Sequence, residues 1–210
     1  MLALVLFAGW LVGGCGGTPA PQGPDARLIE LGKKVEVNGK PAVKEQKLAI
    51  RDVVEVFEGS FAVLKFGDGT RVNLFYDDLN KRPTRLEMSA FAKKTVTTMA
   101  FKLASGLLSA IVPPKRQGID RYEVEGAQTV TSIEGTQVKI STGGGRDEIA
   151  LHEGKVVITR KGTGQTLELR PRTRSGADER GFLPVEAYNG MSRTEERYFN
   201  TDLRIFYRWY

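Results

Sequence analysis

The stretch GSFAVLKFGDGTRVNL, from Gly59 to Leu74, constrains the fold more than any other part of this chain. Ala62, Leu64 and Phe66 share one parity, and Thr70, Val72 and Leu74 continue it beyond the glycines. Alternation with period two marks a strand with one buried face. The loop between the two runs follows from that parity. A two-residue Asp68-Gly69 loop pairs Phe66 with Arg71 and sets each apolar face against the wrong neighbour. A three-residue loop, Gly67-Asp68-Gly69, pairs Phe66 with Thr70, Leu64 with Val72 and Ala62 with Leu74. Such a loop closes on a left-handed residue, a conformation glycine reaches at little steric cost, so Gly69 predicts a bulged three-residue hairpin.

Short strand signals recur on both sides of it. Val35-Glu36-Val37 alternates and is followed by Asn38-Gly39, a strong turn dipeptide. Leu48-Ala49-Ile50 and Val53 to Phe57 add strand material, and Tyr76 to Arg85 lapses into turn residues around Pro83. Arg85 to Met88 reads as a short strand, and Ser89 to Thr98 as either a helical turn or two or extended chain. Met99, Phe101 and Leu103 resume alternation, and Leu107 to Val112 is a buried apolar run. In the second half, Val130, Val138 and Ile140 flank a break at Gly135-Thr136. Thr142 to Gly145 is a turn, and Glu153-Gly154 breaks Ile149–Leu151 from Val156–Ile158. Leu167 and Leu169 make a last short strand. Many short strands with Gly-rich turns and almost no helical periodicity predict an all-β domain, either an antiparallel-rich sandwich or a short β-solenoid with little helix.

At 210 residues, with 40% hydrophobic and 27% charged residues, one packed domain with extensions is expected. The N-terminal Leu2 to Gly14 is apolar but shorter than the roughly 20 residues that span a bilayer, and has signal-peptide character. Val12, Gly13 and Gly14 before Cys15 form a lipobox-like run. Cys15 is the only cysteine, which suits a lipid anchor and excludes an internal disulfide. The expected organisation is a signal peptide over 1–14, a Gly/Pro-rich tether over 15–27, a β domain over 28–170 and a basic, aromatic extension over 171–210. The net charge of +6 permits anionic partners, but scattered basic residues and an exported N-terminus argue against nucleic acid.

The motifs together resemble the FecR domain family, a periplasmic module named after a bacterial iron-citrate transducer. Its G-S-x-A-x-L-x-F-x-D-G-T pattern is matched by Gly59, Ser60, Ala62, Leu64, Phe66, Asp68, Gly69 and Thr70. Its L-x-x-G-x-L strand is matched from Leu103 to Leu108, its Gly-Thr pair by Gly135-Thr136, and its closing E-G-x-V by Glu153-Gly154-Lys155-Val156. The spacing covers Gly32 to Leu169. The chain departs from the pattern at Glu134, where the family has arginine, and at Arg51-Asp52, which replaces an early Gly-Asp. The transducers also carry a cytosolic anti-sigma helical region and a transmembrane helix, neither of which is read here. The resemblance implies an envelope β module of binding or regulatory type, with these motif residues in structural roles.

No catalytic constellation is expected. His152 is the only histidine and Cys15 belongs to the anchor, so no Cys/His pair or His-based metal set assembles, and no cofactor is implied. Asp77-Asp78 and Asp147-Glu148 lack the spacing of a calcium loop and read as charged turn residues. Gly143-Gly144-Gly145 lacks the Lys-Ser/Thr and helix of a phosphate loop. Arg170, Arg172 and Arg174 form the densest basic stretch, either a contact for envelope polyanions or a solvated edge. The terminal run Leu203 to Trp209 alternates, so Tyr207 and Trp209 offer either a partner surface or a last strand packed on the domain.

The expectation is an exported, non-enzymatic lipoprotein, membrane-tethered at Cys15 and facing the periplasm or cell exterior, with the outer membrane favoured. It binds or scaffolds an envelope protein or polysaccharide. The alternative is a sensor that relays a signal to a separate receptor or anti-sigma system.

Overall fold

The computed structural model describes residues 25–78, 80–93, 97–114 and 121–188. Among these there are sixteen strands and no helix. The first half holds β1 (Ala26–Leu31), β2 (Val35–Val37), β3 (Lys40–Pro41), β4 (Gln46–Leu48), β5 (Val53–Val56), β6 (Phe61–Phe66), β7 (Arg71–Phe75) and β8 (Thr84–Lys93). The second holds β9 (Thr97–Ile111), β10 (Arg121–Glu125), β11 (Thr129–Gly143), β12 (Arg146–Arg160), β13 (Thr166–Leu169), β14 (Thr173–Asp178), β15 (Gly181–Phe182) and β16 (Glu186–Ala187). The chain is all-β, and all pairs are antiparallel except β9 with β10.

Three strands, β9, β11 and β12, run for 15 residues each, well beyond ordinary strand length. Each has a glycine with positive φ near its middle: Gly106, Gly135 and Gly154. The buried set changes parity at each one. It passes from Met99, Phe101 and Leu103 to Leu108 and Ala110, from Thr131 and Ile133 to Val138 and Ile140, and from Ile149 and Leu151 to Val156 and Ile158. An extra residue in one strand has this effect, because it flips the alternation and bends the ribbon. The expected breaks at Gly135-Thr136 and Glu153-Gly154 are therefore bulges inside continuous strands.

The bend in β9 is forced by chain length. Arg121 pairs with Thr98, so the chain returns from Ile111 to the start of its own strand in the residues between 111 and 121. That connection reaches about 33–36 Å at full extension. A straight strand from Thr98 to Ile111 would measure about 43 Å at ~3.3 Å per residue, so β9 cannot be straight.

Because the long strands bend, one continuous ladder folds into two facing layers. Layer one runs β3-β2-β5-β8-β9-β10-β11-β12-β13, using the first half of β9 and β11 and the second half of β12. Layer two runs β4-β1-β6-β7-β9-β11-β12-β14, with β15 and β16 on its edge, and uses the complementary halves. The core lies between them. Phe66 of layer two meets Phe101 and Tyr122 of layer one edge-on, at ring separations of 5.6 and 5.8 Å. Such contacts add directional preference to apolar burial. Of the two architectures expected, this is the sandwich.

The organising hairpin has the predicted register. Ala62 pairs with Leu74 and Leu64 with Val72, and the Phe66 N–H donates to the Thr70 carbonyl at 2.9 Å. Gly69 closes the loop at φ +88°. Asn38 and Gly39 both adopt positive φ, as a tight hairpin turn requires. Elsewhere the strands differ from expectation. β4 stops at Leu48, because the Ala49 N–H turns to the Asp52 carboxylate at 2.7 Å. The ambiguous Ser89 to Thr98 stretch is extended as far as Lys93 and again from Thr97. The sequence reading ends the β domain at 170, but the sheet runs on, with Thr173 to Ala177 paired along β12.

Candidate functional site

The motif residues hold the fold together, and they do so in two clusters. The first is the tip of the β6–β7 hairpin. Asp68 Oδ1 accepts the Thr70 N–H at 2.9 Å, and Oδ2 accepts the Thr70 hydroxyl at 3.0 Å and the Tyr122 hydroxyl at 2.9 Å. One carboxylate thus stiffens the loop of layer two and ties it to β10 in layer one. At the other end of β6, Gly59 turns with φ +65°, and the buried Ser60 hydroxyl accepts the Lys34 N–H at 2.7 Å. Ala62, Leu64, Phe66 and Thr70 are all buried.

The second cluster joins two bulges. A Cβ on Gly154 would stand 2.2 Å from the Gly135 carbonyl oxygen and 2.7 Å from Thr136 Cα, so only glycine fits there. The Thr136 hydroxyl lies 2.5 Å from the Glu134 carbonyl and 3.0 Å from that of Lys155. The Thr136 backbone exchanges two hydrogen bonds with Val112, at 2.9 and 2.8 Å. The Gly-Thr pair is thereby locked both to β12 and to the residue that follows β9.

The two acidic pairs separate into unlike residues. Asp147 is fully buried and caged. Its carboxylate accepts the N–H groups of Ala127, Gln128 and Thr129 at 2.8–2.9 Å and the hydroxyls of Thr129 and Thr142. A Cβ on Gly126 would fall 2.5–2.6 Å from that carboxylate, so the glycine lets the loop close over it. Its neighbour Glu148 is paired with Arg146 at 2.6 Å on the surface. Asp77 is also buried. Burial alone would raise its carboxyl pKa, but hydrogen bonds from Asn80 and Arg82 outweigh that and hold it below the usual value. Asp78 is exposed. The reading of Asp77 and Asp147 as charged turn residues is therefore corrected, because both carboxylates are interior structural groups. Asp147 gave little local signal, since its backbone donors sit 18–20 residues away in sequence.

His152 is half-buried, and burial followed by the nearby Arg172 lowers its pKa, with Glu153 opposing. The three arginines differ in their surroundings. Arg174 is engaged by Glu186 at 2.7 and 3.0 Å, and Arg172 takes a left-handed turn conformation at φ +63°. Arg170 is exposed, and its carbonyl accepts the Thr173 hydroxyl. Val12, Gly13, Gly14, Cys15, Tyr207 and Trp209 lie outside the described residues. Among the described residues no group of three or more His, Cys, Asp or Glu is placed to hold a metal ion, and no helix is long and apolar enough to cross a membrane.

The span from β5 into β12, which contains both motif clusters, decides the relationship. Residues 52–157, just over half of the chain, match the family described as FecR protein. The chain belongs to the FecR family. Two crystal structures described as a candidate anti-sigma factor from Parabacteroides distasonis ATCC 8503, at 1.65 and 2.50 Å resolution, share this FecR-type fold at a TM-score of 0.51. Identity is 14% and 15%, and the match covers 64% of this chain and 59–60% of theirs. The likeness at that identity is one of fold. This chain therefore spans about 60% of the length of those structures. No curated protein matches it.

Proposed function

We propose that this FecR-domain chain is a regulatory module of the bacterial cell envelope that acts by binding a separate protein partner, and that it is tethered to the membrane through a lipid on Cys15. One observation carries the reading. The family motif is used up by the fold: Asp68, Thr70, Gly135, Thr136 and Gly154 all close loops or join bulges. What such a domain offers a partner is its surface, and protein recognition needs nothing else. The fold it shares with candidate anti-sigma factors favours a signalling partner over a purely scaffolding role on an envelope polysaccharide.

The test is crosslinking in intact cells followed by mass spectrometry of the captured material. Recovery of one receptor or regulatory protein is expected. Recovery of cell-wall or lipopolysaccharide fragments without a dominant protein would sink the regulatory reading in favour of the scaffold. For the tether, Cys15→Ala is expected to leave an uncleaved precursor without lipid. A mature-length, membrane-bound product would remove the anchor from the proposal.

A further inference from the structure

The two outer faces of the sandwich differ in kind. That of layer one carries a cross-strand row of Glu87, Lys102 and Glu125, with Lys161 bonded to Glu125 at 2.8 Å. Alternating charges in direct register mark a solvated surface. The corresponding row of layer two passes through Val63, Asn73, Ser109 and Lys139, and continues through Ala150 and Arg174 to Glu186 on β16. Here the middle is shielded from solvent. Val63 is 5% exposed and Ser109 1%, yet both point away from the core, to which their neighbours Ala62, Leu64, Leu108 and Ala110 belong. Phe75 is buried on the same outer face. The buried Ser109 hydroxyl has no hydrogen-bond partner among the described residues, and no described strand stacks on this face. A buried polar group without a partner is costly enough that native structures rarely keep one.

We propose that this face is the docking surface for the chain's own C-terminal segment, residues 189–210. The inference is independent of the regulatory reading. The described chain ends at Tyr188, whose N–H bonds the Arg172 carbonyl beside β14, just past Glu186 in the same cross-strand row. From β16 to β7 is five strand spacings, about 24 Å at ~4.8 Å each. Seven or eight extended residues cover that at ~3.3 Å per residue, and 22 follow Tyr188 in the sequence. Leu203, Ile205, Tyr207 and Trp209 alternate, which gives one apolar side to lie on Val63, Phe75 and Leu107. Tyr and Trp also bring hydroxyl and indole donors to a face where the Ser109 hydroxyl has no partner among the described residues.

The experiment uses the full chain with Cys15→Ser as background and a single reporter thiol, Ser109→Cys, with Glu123→Cys on the outer face of layer one as control. Reaction with an aromatic disulfide reagent is expected to be slow at position 109. It is expected to accelerate at least tenfold when Leu203, Ile205, Tyr207 and Trp209 are all replaced by serine, with position 123 unaffected. An unchanged rate at position 109 would overturn the proposal, whether because another segment covers the face or because nothing does. Protection that disappears on dilution would also overturn it, by making the cover a second copy of the chain.

Discussion

The Tyr122 hydroxyl donates to Asp68 Oδ2 at 2.9 Å, joining residues 54 positions apart and in opposite layers. Asp68 also holds both the N–H and the hydroxyl of Thr70. Tyr122→Phe removes one of these three bonds and is expected to cost about 1 kcal/mol, whereas Asp68→Ala removes all three and costs about 2–3 kcal/mol. Urea unfolding of the two variants checks the ranking. Equal losses would show that the loop bonds to Thr70 contribute nothing.

Gly154 and Gly162 both have positive φ, but only Gly154 is crowded. Gly162→Ala meets no atom within 4 Å and should cost about 1–2 kcal/mol, the backbone term alone. Gly154→Ala drives a methyl into the Gly135 carbonyl and should cost more than about 3 kcal/mol or prevent folding. Thermal melts of the pair separate conformational cost from steric cost. Similar shifts in Tm would refute the coupling of the two bulges.

Asp147→Ala takes the acceptor from the Gln128 and Thr129 N–H groups and leaves the Ala127 N–H only the Thr142 hydroxyl, and is expected to cost upwards of about 3 kcal/mol. Glu148→Ala removes one surface ion pair and should lie within about 0.5 kcal/mol of the parent. A chemical denaturation series on both variants decides whether the adjacent acids differ as much as their surroundings do.

His152 gives the fold a pH dependence of definite sign. Its pKa is lowered from 6.5 in the folded chain, so as pH falls through that value the unfolded chain takes up a proton that the folded chain does not. Stability therefore drops on acidification from about pH 7 to about pH 5, where the free imidazole titrates. His152→Asn should show a shallower loss over the same window. A parallel loss in the two proteins would place the acid sensitivity elsewhere.

The β6–β7 hairpin was legible because parity and loop length admit one register, and Phe66–Thr70 follows from it. Gly106, Gly135 and Gly154 were visible as interruptions, but a glycine between two apolar runs looks the same whether the chain turns back or merely bends. The parity change from Leu103 to Leu108 distinguishes the two only when the partner strands are known. β14 left no trace, since Thr173 to Ala177 has small and polar residues in place of an apolar alternation. Backbone pairing selects it, and Gly176 allows close approach to the Asp147 carbonyl, 1.9 Å from where a Cβ would stand. Asp147 was legible as an acid but not as an interior one, because its cage is built by the loop at Gly126 to Thr129.

Three strands that pass from one layer into the other leave the sandwich without a seam. In a sandwich whose sheets are joined only by loops, a pulling force can slide one sheet off the other while each stays whole. Here shear between the layers has to break the hydrogen-bonded ladders of β9, β11 and β12 on both sides of their bends, since the same covalent backbone is the warp of both sheets. Sliding one layer past the other is resisted by backbone hydrogen bonds as well as by the packed core.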